Sequence, residues 1–176
     1  FLYTREPPAA PGCDGALWMP TLCSLRNPRL ARALVKRLQA MPGVTLREGC
    51  EVETLLVEGE RVVGVQTPLG RLQADLVVVC GGAWAARILV TAGVELPLRP
   101  VKGQMIQFQA PPGLVKRVVL MDGRYVIPRA DGRVLAGSTL EETGFDKSLS
   151  TTARESLWDS ATRIVPALAE CPVVHH

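Results

Sequence analysis

Apolar residues recur along this chain at two spacings, and the change from one to the other marks its elements. Leu30, Leu34, Leu38 and Met41 repeat at helical spacing, while Arg29, Arg32, Lys36 and Arg37 fill the other face. Asn27 as N-cap and Pro28 at the first helical position open this predicted helix; Met41-Pro42-Gly43 stops it. Strands are then expected over 44–47, 50–57 and 61–67, with a turn at Glu58-Gly59-Glu60. Val62, Val63 and Val65 are strong strand formers. Pro68-Leu69-Gly70 turns the chain into a strand over 71–80. Its Leu76-Val77-Val78-Val79-Cys80 run has no alternation, so both faces are predicted to be buried. Gly81-Gly82 ends it, and a helix carrying Trp84, Ile88 and Leu89 is expected over 83–91.

The second half changes character. A strand over 98–109 bends at Gly103, and Pro111-Pro112-Gly113 makes a loop. Short strands over 118–121, 125–128 and 133–137 are punctuated by Asp122-Gly123 and Asp131-Gly132, strong hairpin signals. Thr152 and Glu155 have the spacing of a capping box opening a last helix. Leu157, Trp158, Ala161, Ile164 and Val165 form its expected buried side, and Pro166 closes it. Residues 1–11 read as an irregular lead-in and 15–19 as a short strand. The fold class is therefore α+β (mixed α/β), in segments 1–25, 26–95 and 96–176.

Composition narrows the function classes. The 176 residues are 47% hydrophobic and 21% charged, ordinary for a folded protein. A net charge of +3, scattered along the chain, and 5% aromatics argue against a nucleic-acid surface. No apolar run is long enough for a membrane helix. Cys13, Cys23, Cys50, Cys80 and Cys171 lie far apart without CxxC spacing. They read as reduced thiols in buried apolar positions of a cytoplasmic protein rather than a disulfide framework or zinc site. The chain starts at Phe1 and stops at Val173-Val174-His175-His176, a strand-like run, so it is expected to be a piece of a longer protein. The His pair lacks partners for a metal site.

Candidate chemistry is sparse. No nucleophile elbow, P-loop, HExxH or GxGxxG is present, and both histidines sit at the end. The glycines after the valine run bring bare backbone to a strand end, and the following helix would aim N–H groups at an anionic phosphate there. The same residues also suit a core strand ending in a flexible turn.

Five motifs in order carry a resemblance. Ala74-Asp75-Leu76-Val77-Val78-Val79-Cys80-Gly81-Gly82-Ala83-Trp84 resembles the AD-x-V-V-x-A-x-G-x-W segment of flavin-dependent amine oxidases, the family of D-amino acid oxidase, sarcosine oxidase and the glycine oxidase of thiamine biosynthesis. Asn27-Pro28-Arg29-Leu30 resembles that family's helix opening. Pro100-Val101-Lys102-Gly103-Gln104-Met105 resembles P-V-R-G-Q-M, Tyr125-Val126-Ile127-Pro128-Arg129 resembles Y-x-x-P-R, and the run from Gly137 to Asp146 resembles G-A-T-x-E-x-x-G-F-D. The last two point toward the glycine-oxidase branch.

The resemblance implies a substrate-domain lead-in over 1–25, part of a FAD-binding domain over 26–95 and an antiparallel-sheet substrate domain over 96–176. It implies FAD near Val52, Cys80, Gly81, Gly82 and Trp84, and a small amino acid or amine beside Tyr125, Arg129 and Leu140. Without the likeness, Val52 and Leu140 suit plain core packing, Tyr125 a half-buried sheet aromatic and Arg129 a surface ion pair. The implied reaction moves a hydride from the substrate Cα to the flavin, leaving an imine that hydrolyses to oxoacid and ammonia, while O2 becomes H2O2. No protein residue is assigned a catalytic role and no metal is expected. Sarcosine or another amine is an alternative substrate, and a non-catalytic module is an alternative reading. The family's GxGxxG strand and its W-x-G-x-R-P arginine segment are not found. Residues 1–176 alone are therefore expected to bind FAD weakly or not at all, to be inactive, and to self-associate through the edge of the valine strand.

Overall fold

The structure, a computed structural model, describes residues 5, 6, 9–12, 15–21 and 23–176. It divides into two compact units, one of Phe1–Leu25 with Val101–His176 and the other of Arg26–Pro100.

The continuous unit begins with helix α1, Asn27–Gln39. Its N-cap is Arg26, one residue before the expected Asn27, because Pro28 settles into the first turn and Asn27 is already helical. None of its residues is buried, so the Leu30, Leu34 and Leu38 stripe faces outward. Residues 44–47 form no strand. Three antiparallel strands follow in the order β1 (Thr54–Glu58), β2 (Arg61–Thr67) and β3 (Gly70–Gln73). A register shift at Leu56/Val57 bends the first pair. Thr67 is buried; its hydroxyl donates to the Gly70 carbonyl at 2.8 Å and accepts from Leu69 N–H at 3.2 Å, fixing the Pro68-Leu69 turn.

The expected strand over 71–80 stops early. Ala74 N–H still donates to the Val63 carbonyl at 2.9 Å, but no described strand pairs with residues 75–81. Leu76 and Val78 are 79% and 73% exposed. Strand structure is a property of a pair: an apolar run without a ladder partner stays extended coil. The helix expected over 83–91 is a 3-10 turn at Gly82–Trp84, helix α2 at Ala85–Leu89 and a second 3-10 turn at Val90–Ala92.

The discontinuous unit holds a five-stranded antiparallel sheet, ordered β5-β6-β7-β4-β8. Its strands are β4 (Met105–Gln109), β5 (Val119–Met121), β6 (Arg124–Pro128), β7 (Arg133–Gly137) and β8 (Val173–His175). The strand predicted over 98–109 is confined to β4. Residues 15–19 form no strand. Asp122 and Gly123 have φ of +51° and +73°, and both in the left-handed region let a two-residue turn join β5 to β6.

Alternation sorts the sheet's two faces. Ile106, Phe108, Val126, Val134 and Ala136 point one way and pack with Leu157, Ala161 and Ile164 of helix α3, Thr151–Ile164. Fully burying side chains of this kind contributes about 1.5–3 kcal/mol each. Ser150, not Thr152, caps α3: its hydroxyl accepts from Ala153 N–H at 3.2 Å, so the helix starts before the Thr152/Glu155 pair. Trp158, expected inside, is 37% exposed, because a position next to Leu157 on the helix turns away from that stripe.

Of the described cysteines, Cys23 and Cys80 are exposed and Cys50 and Cys171 half-buried, all as free thiols. The buried apolar role expected of them fails for Cys23 and Cys80, which lie in exposed segments, and is met only in part by Cys171, which packs half-buried against the core of the sheet unit. Cys13 lies outside the described residues.

Candidate active site

The sheet's second face is the candidate site. The strand pairing fixes two cross-strand rows there: Tyr125, Gly137 and Met105 in one, and Ile127, Leu135 and Gln107 in the next. Tyr125 is half-buried. Its hydroxyl donates to Met105 Sδ at 3.9 Å, a weak acceptor. Such a phenol retains most of its capacity to donate to an oxygen. Nε2 of Gln107, in the next row, is buried without a hydrogen-bond partner.

Arg129 follows β6 four residues after Tyr125, a spacing that keeps both on one face. Its Nη1 donates to Ser24 Oγ at 2.9 Å, so the guanidinium tethers the lead-in segment to the end of β6. Leu140, just beyond β7, is 83% exposed. Its neighbours are held: Thr139 N–H donates to the Gln104 carbonyl at 3.2 Å, and Glu141 and Lys102 exchange backbone bonds of 2.8 and 2.9 Å. An exposed apolar side chain thus stands on a fixed stretch of backbone.

A polar cluster beneath Leu140 does the fixing. Gln104 is 3% exposed and donates to both Glu141 carboxylate oxygens. Glu141 also accepts from the Thr139 hydroxyl and lies 3.2 Å from Lys102 Nζ. The Thr139 bond first, then Gln104 and Lys102, hold its carboxyl below the ordinary range. Lys102 Nζ is also 3.6 Å from Asp146.

In the other unit, Cys80, Gly81, Gly82 and Trp84 lie within 80–84 and are exposed, and Val52 is half-buried just before β1. Gly82 has φ of +53°, and a Cβ placed on it would meet nothing within 4 Å. The main chain is open to an approaching group at Gly82, which suits a dinucleotide, whereas a Cβ on Gly81 would lie 3.2 Å from the Ala85 backbone.

Sequence reasoning overlooked Met105, Gly137 and the Gln104–Glu141 cluster. The available signal was the hairpin turn at Asp131-Gly132, which sets the register that lines Gly137 up with Tyr125.

One antiparallel sheet backed by a helix, with Tyr125 on its second face, and a three-stranded unit carrying an exposed Gly81-Gly82 stretch make this a mixed α+β protein. The chain belongs to the FAD dependent oxidoreductase (DAO) family, whose model matches residues 2–176. It is 46% identical over 174 residues to a glycine oxidase of Pseudomonas putida, covering 99% of this chain and 48% of that one. It spans about half the length of this glycine oxidase and of that of Pseudomonas aeruginosa, to which it is 44% identical. Among solved structures it is similar to glycine oxidase from Geobacillus kaustophilus, with TM-score 0.75 and 32% identity over 84% of this chain and 40% of that one. It is also similar to L-proline dehydrogenase from P. horikoshii, with TM-score 0.71 and 25% identity over 76% of this chain and 37% of that one. Among the described residues, no helix is long and apolar enough to cross a membrane.

Proposed function

We propose that this chain is part of a cytoplasmic FAD-dependent oxidase that converts glycine, or a similarly small amino acid or amine, to its imine with O2 as electron acceptor. The observation that carries the reading is Tyr125, half-buried on the sheet's second face, where among the described residues its hydroxyl has only a thioether as acceptor. That hydroxyl suits a substrate carboxylate oxygen, a far stronger acceptor than sulfur. Leu140 serves as an apolar wall, and Arg129 orders the lead-in segment at the end of β6 through Ser24. The main chain of Gly81 and Gly82, flanked by Cys80 and Trp84, holds the dinucleotide together with Val52, just before β1. In this reading residues 26–95 belong to the cofactor domain, and 1–25 with 96–176 to the substrate domain. FAD supplies the hydride acceptor; the protein binds and orients the amine. Likeness to the glycine oxidases favours glycine, and likeness to an L-proline dehydrogenase supports a secondary amine as the second reading.

The test is the full-length protein purified with FAD and assayed for peroxide with glycine, sarcosine and proline. Flavin absorbance near ~450 nm and the fastest turnover with glycine are expected. A colourless protein after FAD addition, or no amine-dependent peroxide, overturns the reading.

A further inference from the structure

We infer that Gly137 is a positioning residue for substrate binding: its missing side chain is the seat on which the Tyr125 ring lies. The inference rests on the proposed role of Tyr125 in taking an amino-acid carboxylate.

Gly137 occupies the middle of a cross-strand row, opposite Tyr125 of β6 on one side and Met105 of β4 on the other. A Cβ built on it would lie 2.8 Å from Tyr125 Oη, 2.9 Å from Tyr125 Cζ and 3.0 Å from Met105 Cγ. Carbon atoms do not approach this closely, so any side chain at 137 displaces what is there. The nearest atoms belong to the far end of the tyrosine, which can swing aside, and not to backbone. Gly137 does not adopt a left-handed φ, so its φ does not demand glycine. Glycine inside a strand weakens it, and the position makes sense where another group takes the space. Here the phenol does. It lies across β7 and carries its hydroxyl from β6 as far as Met105 Sδ, 3.9 Å away. Gly137 thereby sets where the O–H donor sits and which way it points. A methyl group at 137 turns the ring off the sheet and takes the donor away from the substrate carboxylate.

The experiment uses the FAD-loaded full-length protein as wild type, Gly137→Ala, Tyr125→Ala and the double variant. Thermal unfolding and steady-state oxidation of glycine are measured for each. Gly137→Ala is expected to keep its flavin absorbance, to melt lower than wild type, and to lose about tenfold to a hundredfold in kcat/KM, mainly through KM; displacements near 1 Å have effects of that size. In the Tyr125→Ala background the same substitution is expected to leave KM unchanged and to lower the melting temperature much less, since only Met105 Cγ, 3.0 Å from the new methyl, still has to give way. Equal melting losses in both backgrounds overturn the seat. A Gly137→Ala enzyme with wild-type KM overturns the positioning role even if melting is coupled. If Gly137→Ala alone fails to fold, rescue by Tyr125→Ala in the double variant is the same coupling, and failure to rescue overturns it. A wild type that oxidises no small amine sinks the functional reading and with it the substrate role, while the melting comparison still decides the seat.

Discussion

Gln104 grips Glu141 with both carboxylate oxygens in reach, Nε2 lying 2.8 Å from Oε1 and 3.1 Å from Oε2. Its own Oε1 accepts the Ser150 N–H at 3.2 Å. One buried amide therefore joins the stretch after β7 to the cap of α3. Gln104→Leu keeps the volume and strands these partners. A loss of about 0.5–1.5 kcal/mol in urea-unfolding free energy is expected, the net contribution of hydrogen bonds whose partners stay within reach of water. A change below about 0.5 kcal/mol, typical of an inert surface site, counts against the cluster's structural weight.

Acid should loosen the same corner. Glu141 is held below its usual 4.5 by the Thr139 hydroxyl, then Gln104, then Lys102. Asp146 is lowered below 3.8 by the Ser148 N–H and hydroxyl, with Lys102 adding to it. Both pKa values are depressed on folding, so the stabilisation is complete above the ordinary carboxylate values. It is lost as pH falls through them toward the folded values. Melting temperature should drop on acidification through this window, and Thr139→Val should flatten the drop. An unchanged slope in Thr139→Val refutes the assignment.

Gly64 offers a steric test in the other unit. A Cβ there would fall 2.1 Å from the Leu72 carbonyl oxygen and 2.9 Å from the Gln73 Cα. These are backbone atoms of the paired strand β3, so nothing flexible can yield. Gly64→Ala should cost about 1–3 kcal/mol, the range for forced overpacking, measured by chemical denaturation. A neutral substitution would mean that β3 does not pair here in solution.

The Arg129 contact separates two roles. If the guanidinium mainly tethers Ser24, then Arg129→Met and Ser24→Ala each lower stability by about 0.5–1.5 kcal/mol, and the double variant loses no more than one of them. If Arg129 instead holds substrate, Ser24→Ala leaves KM for glycine intact while Arg129→Met raises it. Thermal melts and steady-state kinetics on the four proteins distinguish the two.

Local chemistry made much of the fold legible. Asp122-Gly123 located the β5–β6 hairpin because only that kind of pair accepts two left-handed residues cheaply, and the Val62-Val63-Val65 strand stands where its pattern put it. Helix starts slipped by one or two residues: at α3 because Ser150, Thr151 and Thr152 can all cap, and at α1 because Pro28 settles into the first turn with Asn27 already helical. The valine run at 76–80 and the Leu30 stripe misled for one shared reason: an apolar pattern records suitability for burial and does not identify what covers it. In the candidate site, Tyr125 was legible through its motif. Gly137 and Met105 were not, since a strand's own residues do not reveal which partner stands opposite. Gln104 looked like one more polar residue in VKGQM until its partners, 37 and 46 positions further on, came into place.

The Glu6 carboxylate accepts the Lys116 main-chain N–H across 110 residues, with all of Arg26–Pro100 inserted between them. A ribosome delivers the chain in order, so the opening residues emerge long before the strands they belong with. The entropy of closing so wide a loop grows only by about 0.6 kcal/mol per doubling of length, so the finished structure loses little by the interruption. The burden falls on timing: Glu6 is synthesised well before Lys116 and the strands that follow it, and all of Arg26–Pro100 emerges in between.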